Sequence, residues 1–283
     1  MKKSLLALLC VFFSSFAHAD NVILMIGDGM GENHIKCARN DKFLYIPTLP
    51  VRGNVQTHSA NADVTDSAAA ATAYACGMKT NNSMLGKAHD GQDCLTIAEK
   101  AVQKGYATGI YSTDHPTGAT PSAFYAHAFN RHEKGTIEEH KAKASLSMDI
   151  EVPVKKISDV ISERLIKLSS QSDKKGFFAM FEGALIDSNS HGNQLEKMKQ
   201  ELYDFDDAVM KATVFVKENP ETTLIVLADH ETGGLNDECK FTTSNHTGAN
   251  IPVYAYGKHA DLFYGLHDNT EIHHKIENIL FNE

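Results

Sequence analysis

The chain opens on one apolar run over residues 5–16, then breaks into shorter apolar runs separated by amphipathic and polar stretches. Residues 22–26 are all apolar and stop at Gly27-Asp28-Gly29, which reads as a buried strand followed by a turn. Residues 107–111, 177–181 and 224–227 repeat the pattern, the last two ending on Glu182 and on Asp229-His230. Helical stretches lie between them at 68–75, 97–103, 157–168 and 195–216. Residues 131–149 are polar and rich in His, Lys and Glu, and are expected to form an irregular surface excursion with a partly helical end. The alternation predicts an α/β fold, a mostly parallel central sheet with helices on both faces. Ligands of such sheets bind beyond the carboxyl ends of the strands. The polar residues that close the apolar runs should therefore share one rim.

The first run changes the picture at the N-terminus. Lys2 and Lys3 precede it and Ala17-His18-Ala19 follow, the pattern of a secretory signal peptide over 1–19. It is too short to span a bilayer, which takes about 20 residues. Cleavage after Ala19 would leave residues 20–283 as a single domain, periplasmic or secreted, with no membrane segment. The net charge of −9 argues against nucleic acid or an anionic membrane as main partner. It does not exclude an anionic substrate, because bound cations can dominate a site locally. Cys37, Cys76, Cys94 and Cys239 would remain after cleavage. They allow three disulfide pairings, among which the sequence does not choose. None lies in a C-x-x-C pair, so a cysteine zinc site is not expected. Oligomeric state is open, a homodimer included.

Candidate chemistry gathers at the strand ends. Asp28, Glu182, Asp187, His191, Asp229, His230 and, in Ser244-Asn245-His246-Thr247-Gly248, His246 supply carboxylates and imidazoles. Such groups suit zinc, and oxygen donors alone suit magnesium. Asp187 and His191 are four residues apart and would share a helix face. Taken singly, each is more often a turn, cap or surface residue. Asp229-His230 directly after a buried apolar run is harder to set aside, because burying unpaired charge is costly. Asp66-Ser67 precedes four alanines, and an N-cap is the plain reading. The same geometry would give Ser67 the free N–H groups and positive dipole end that suit a phosphoryl group. Arg131 reads first as a solvated arginine, but its planar fork could hold two phosphate oxygens.

Taken together and in order, these stretches resemble the alkaline phosphatase family. The matching segments are Val22-Ile23-Leu24-Met25-Ile26-Gly27-Asp28-Gly29-Met30-Gly31, Val64-Thr65-Asp66-Ser67-Ala68-Ala69-Ala70-Ala71-Thr72-Ala73, Ala119-Thr120-Pro121 with Tyr125-Ala126-His127 and Asn130-Arg131, Glu182-Gly183-Ala184-Leu185-Ile186-Asp187 with His191, Ala228-Asp229-His230-Glu231-Thr232-Gly233-Gly234, and His246-Thr247-Gly248. The resemblance implies hydrolysis of small-molecule phosphate monoesters through a phosphoserine on Ser67, with two zinc ions and a magnesium. Asp187, His191 and His246 would bind one zinc. Asp28, Asp229, His230 and Ser67 would bind the other. Asp28 would bridge to magnesium held by Thr120 and Glu182, and Arg131 would clamp the phosphate. The rival readings are a phosphodiesterase, sulfatase or phosphomutase on the same scaffold, or an exported phosphate- or zinc-binding protein without turnover.

The chain departs from the family pattern in three ways. Gly118 stands where relatives carry Asp or His near the magnesium, so that ion is expected to be weakly held. Ser188 follows Asp187 where relatives often carry Lys or His. The stretches from Arg131 to Glu182 and from His230 to His246 are shorter than in typical members; the first is expected to omit peripheral sheet or helix elements, and the second leaves little room for an inserted crown over the site.

Overall fold

A computed structural model describes residues 20–171 and 174–281. The signal-peptide reading concerns residues 1–19, which lie outside the described residues. Strands β1 (Asn21–Gly27), β2 (Val51–Gln56), β3 (Ala107–Ser112), β4 (Asp149–Glu151), β5 (Phe177–Gly183), β6 (Thr222–Leu227), β7 (Glu231–Thr232), β8 (His246–Thr247), β9 (Ile251–Gly257) and β10 (Gly265–Asp268) form two sheets. The main sheet has eight strands in the order β10-β2-β9-β6-β1-β5-β3-β4, and β7 pairs with β8 in a small hairpin. β6, β1, β5, β3 and β4 are parallel neighbours. β9 runs antiparallel to both β6 and β2, and β10 is parallel to β2. Only β9 is therefore reversed, and the mostly parallel sheet expected from the sequence is present.

The continuous apolar runs have a physical cause. β1, β5 and β6 are covered on both faces, so apolar residues are favoured at successive positions along them. Helices α1 (Glu32–Arg39), α2 (Ser67–Cys76), α3 (Ile97–Gln103), α4 (Ala119–Ser122), α5 (Lys134–Ala144), α6 (Ile157–Ser169), α7 (Leu185–His191), α8 (Leu195–Glu218) and α9 (Asn269–Phe281) cover it. α6 and α8 pack on each other and on the sheet, while α2, α3 and α9 form a second group. Ile157, Ile161, Leu165 and Leu168 put the buried stripe of α6 at helical spacing, and Met198, Leu202, Phe205, Val209 and Val216 do so for α8.

Residues 131–149 differ from the expectation. They contain the eleven-residue helix α5 and lead into the short edge strand β4. Ile137 is the one buried residue of α5. A single apolar anchor leaves no periodic stripe for the sequence to display. Two disulfides, Cys37–Cys239 and Cys76–Cys94, use all four cysteines that the sequence left unpaired.

Candidate active site

Ser67 is the first residue of α2, and Asp66 caps that helix. Asp66 Oδ1 accepts from the Ala69 N–H at 3.0 Å and Oδ2 accepts from the Ser83 N–H at 2.9 Å. The Asp66 N–H donates to Asn82 Oδ1 at 3.1 Å. The aspartate is the cap, as the plain reading expects, and the serine stands free of capping duty. Every residue of α2 is buried, and its alanines let the helix approach its neighbours closely. Arg131 lies against the cap, with Nη1 3.4 Å from Asp66 Oδ2, and its N–H donates to the Ser83 carbonyl at 2.7 Å.

The carboxyl ends of β1, β5 and β6 bring the other expected residues to the same rim. His230 Nε2 lies 3.2 Å from Ser67 Oγ, 3.1 Å from Asp229 Oδ2 and 3.6 Å from Asp28 Oδ1. His191 Nε2 lies 3.3 Å from Asp187 Oδ2 and 3.1 Å from His246 Nε2, and His246 Nε2 is 3.6 Å from Asp187 Oδ1. The His230 and His246 rings stack at 3.6 Å between centroids, joining the two groups. Ligand atoms at about 2.0–2.1 Å from one tetrahedral ion lie roughly 3.3 Å apart, and these separations scatter around that spacing.

Tautomers sharpen the point. His191 Nδ1 is 2.6 Å from the Ser244 carbonyl and His246 Nδ1 is 2.9 Å from the Thr65 carbonyl. A carbonyl only accepts, so both Nδ1 atoms carry hydrogen and both Nε2 lone pairs turn toward each other. Only a shared proton or a cation reconciles them. Thr232 Oγ1 donates to Asp187 Oδ1 and accepts from His230 Nδ1, which turns the third Nε2 toward Ser67 and the carboxylates. Four buried oxygens in this region have no hydrogen-bond partner: Asp28 Oδ1, Thr120 Oγ1, Glu182 Oε1 and Asp229 Oδ2. Buried acceptors left without partners are uncommon and costly. Bound cations would satisfy them, so the donor set fits metal ions.

The electrostatics agree. Burial, followed by the charges of Asp229 and Asp187, pushes the Asp28 carboxyl well above its usual range. Glu182 rises for the same reason, burial first and the Asp114 carboxylate next. Asp187 goes the other way: burial opposes ionisation, but the hydrogen bond to His191 and the charge of His230 hold it below the usual carboxylate range. His191 is pushed up to about 9 by the Asp187 carboxylate. His230 is raised because Asp229 outweighs the burial that opposes its charge. His246 goes the other way, lowered by burial and then by the charge of His230.

Gly29, at φ +72°, is required where it stands. A Cβ there would lie 2.8 Å from Thr232 Oγ1 and 2.9 Å from Asp187 Oδ1. Its N–H donates to Asp229 Oδ1 at 3.0 Å, holding the carboxylate from behind. Thr232, Ser112, whose hydroxyl donates to Glu182 Oε2, and Asp114 belong to the site but were not singled out from the sequence. The one available signal was position, since all three follow β3 or β6 or end them.

A sequence model of alkaline phosphatase matches residues 19–161, 154–240 and 235–281. The chain belongs to the alkaline phosphatase family. It is 26% identical to Alkaline phosphatase 3 of Bacillus subtilis (strain 168) over 404 aligned positions, covering 89% of this chain and 87% of that protein. It is 31% identical to Alkaline phosphatase 4 of the same organism, covering 77% of this chain and 62% of that one. The structure of alkaline phosphatase from the Antarctic bacterium TAB5 superposes with a TM-score of 0.84 at 29% identity, covering 93% of this chain and 98% of the other. An alignment of 404 positions for a chain of 283 residues means that the Bacillus phosphatase carries long insertions absent here. This phosphatase hydrolyses phosphate monoesters, and its donor set fits metal ions.

Proposed function

We propose that this phosphatase works through Ser67 as nucleophile, with two zinc ions and one magnesium as cofactors. The observation that carries the reading is Ser67 Oγ at 3.2 Å from His230 Nε2, at the head of a buried helix whose cap, Asp66, pairs with Arg131. Asp187, His191 and His246 would hold one zinc; Asp28, Asp229, His230 and Ser67 would hold the other; Asp28, Thr120 and Glu182 would hold magnesium. When bound, zinc ions supply Lewis acidity that lowers the pKa of a coordinated hydroxyl and neutralises charge on the phosphoryl oxygens.

The chain's own residues do the remaining work. The α2 N-terminus offers free N–H groups to the phosphoryl oxygens. The Arg131 guanidinium, steadied by Asp66, donates to two of them. Ser67 Oγ attacks phosphorus, its bond to phosphorus forms, and the ester P–O bond breaks to release the alcohol. Water then attacks phosphorus, the P–Oγ bond breaks, and phosphate leaves with Ser67 restored. We further propose that the protein is exported to the periplasm or beyond. The sequence of residues 1–19 and the two disulfides support this, since disulfides persist in oxidising compartments.

Acid-quenched labelling with radioactive phosphate, followed by peptide mapping, tests the nucleophile. Label should appear on Ser67 in the wild type and be absent from Ser67→Ala, whose turnover should fall by roughly a thousandfold or more. Label on another residue, or wild-type turnover in Ser67→Ala, would overturn the reading.

A further inference from the structure

We propose that His273, His274 and Glu277 form a zinc site remote from the active site, one that clamps α9 to the carboxyl end of α2. All three residues lie on α9, and His273 and Glu277, four positions apart, share one face of it. Their ligand atoms lie within 4.8 Å of one another. His273 Nε2 and Glu277 Oε2 are 3.6 Å apart, close to the roughly 3.3 Å expected of two donors on one tetrahedral zinc. His274 is exposed, so its ring is free to turn through the remaining distance.

The surroundings aim these groups. α2 ends at Gly77, whose φ is +69° and whose N–H donates to the Ala73 carbonyl at 2.9 Å. A Cβ at that position would lie 2.6 Å from His273 Cδ2 and 2.8 Å from His274 Cε1, so both rings rest on the bare Cα of the glycine. His273 Nδ1 lies 3.1 Å from the Tyr74 carbonyl, one of the last four in α2, which the helix itself leaves without a donor. A carbonyl only accepts, so Nδ1 carries the hydrogen and the Nε2 lone pair faces the Glu277 carboxylate. The His273 side chain is 3% exposed, and a proton on Nε2 would put charge on a ring shielded from water. A metal ion uses the lone pair as it stands. Metal-binding histidines are ordinarily held this way, with one nitrogen on the ion and the other on a carbonyl or carboxylate. The Lys100 ammonium, from α3, pairs with Glu277 Oε1 and leaves Oε2 for the ion.

Two imidazoles and a carboxylate suit zinc better than magnesium or calcium, with water as a fourth ligand. The negative pole of the α2 macrodipole adds to the attraction for a cation at this end. Ser67 begins the same ten-residue helix, about 15 Å away along its axis. The ion therefore fastens α9 to the helix that carries Ser67 without entering the active site.

The test counts zinc. Chelated wild type, His274→Ala and Glu277→Gln are dialysed against the same buffered free zinc and measured by elemental analysis. The wild type should hold one zinc per chain more than either variant. Only the difference is read, so the result does not depend on how many ions the active site binds. Hydrogen exchange locates the loss: zinc should slow amide exchange in α9 by about tenfold more in the wild type than in His274→Ala. The exposed position of His274 favours a folded variant, Glu277→Gln keeps the side-chain volume, and circular dichroism checks both. Equal zinc in the wild type and either variant would overturn the proposal, as would equal protection of α9. Loss of more than one zinc in both variants would also overturn it, because the cluster would then act through the active site.

Discussion

The two halves of the site are built from the same residue types but sit in different surroundings. His230 and Asp229 have no exposed surface, and Asp28 and Ser67 are 5% and 4% exposed. The His191 side chain is 40% exposed. The buried half stands on β1 and β6, adjacent strands at the middle of the sheet. The open half stands on the short helix α7 and the β7–β8 hairpin. In the buried half, water cannot replace a missing partner, so charge balance and folding are coupled. In the open half, a freed side chain can rotate into solvent. The half that holds Ser67, the proposed nucleophile, is thus the one that the fold can least tolerate being altered.

Chelation should have the largest effect, because it strips both halves. Phosphate release should fall to background, and the melting temperature should drop on the order of 10 °C, as a loss of several kcal/mol implies for a chain of this size. Calorimetry of chelated and zinc-restored protein checks both. An unchanged melting temperature would mean that the buried carboxylates are balanced without cations.

A pair of single substitutions sharpens the contrast. His230→Ala takes from the Thr232 hydroxyl the donor it accepts from and removes the imidazole beside the Asp229 and Asp28 carboxylates in a region closed to water. It should lose zinc and melt several degrees below wild type. His191→Ala should lose one equivalent of zinc and most activity, yet melt within a few degrees of wild type. Elemental analysis and thermal denaturation decide, and equal destabilisation by the two would erase the distinction between the halves.

The smallest effect on activity is expected from Cys239→Ser. Cys37–Cys239 ties α1, which follows the Asp28 turn, to the loop over residues 233–245 that leads to His246. Cutting it should leave turnover near wild type at saturating zinc but speed the release of zinc from the open half. Stopped-flow transfer to a chromogenic chelator would show a faster phase for one of the two active-site ions. If both phases accelerate alike, the bridge supports the whole domain and not the hairpin.

How much of this was legible in the sequence follows from burial. β1, β5 and β6 read as strands because both their faces are covered, and each ends on the polar residues that make the rim. β2 alternates buried and exposed positions with Gly53 among them, a weaker signal over six residues. β9 contains Pro252, which argues against a central strand. Its pairing with β6 runs only from Tyr254 to Gly257, so the missing N–H at 252 is not demanded on that side. Asp114 could not be read, because its contact with position 118 depends on a turn that folds back. Thr232 lay inside a recognised segment, but nothing in the order of residues shows a hydroxyl placed between a carboxylate and an imidazole.

The anchoring of the three imidazoles bears on which element the site will accept. Among first-row divalent ions, copper binds nitrogen and oxygen donors more strongly than zinc does, so raw affinity would favour the wrong element. Copper(II) gains much of that advantage by drawing its donors toward a plane. Here each ring has its Nδ1 hydrogen held by Ser244, Thr65 or Thr232, and turning a ring toward a plane would break that bond. At the proposed zinc site, discrimination against copper would therefore rest on backbone carbonyls and a threonine outside the ligand set.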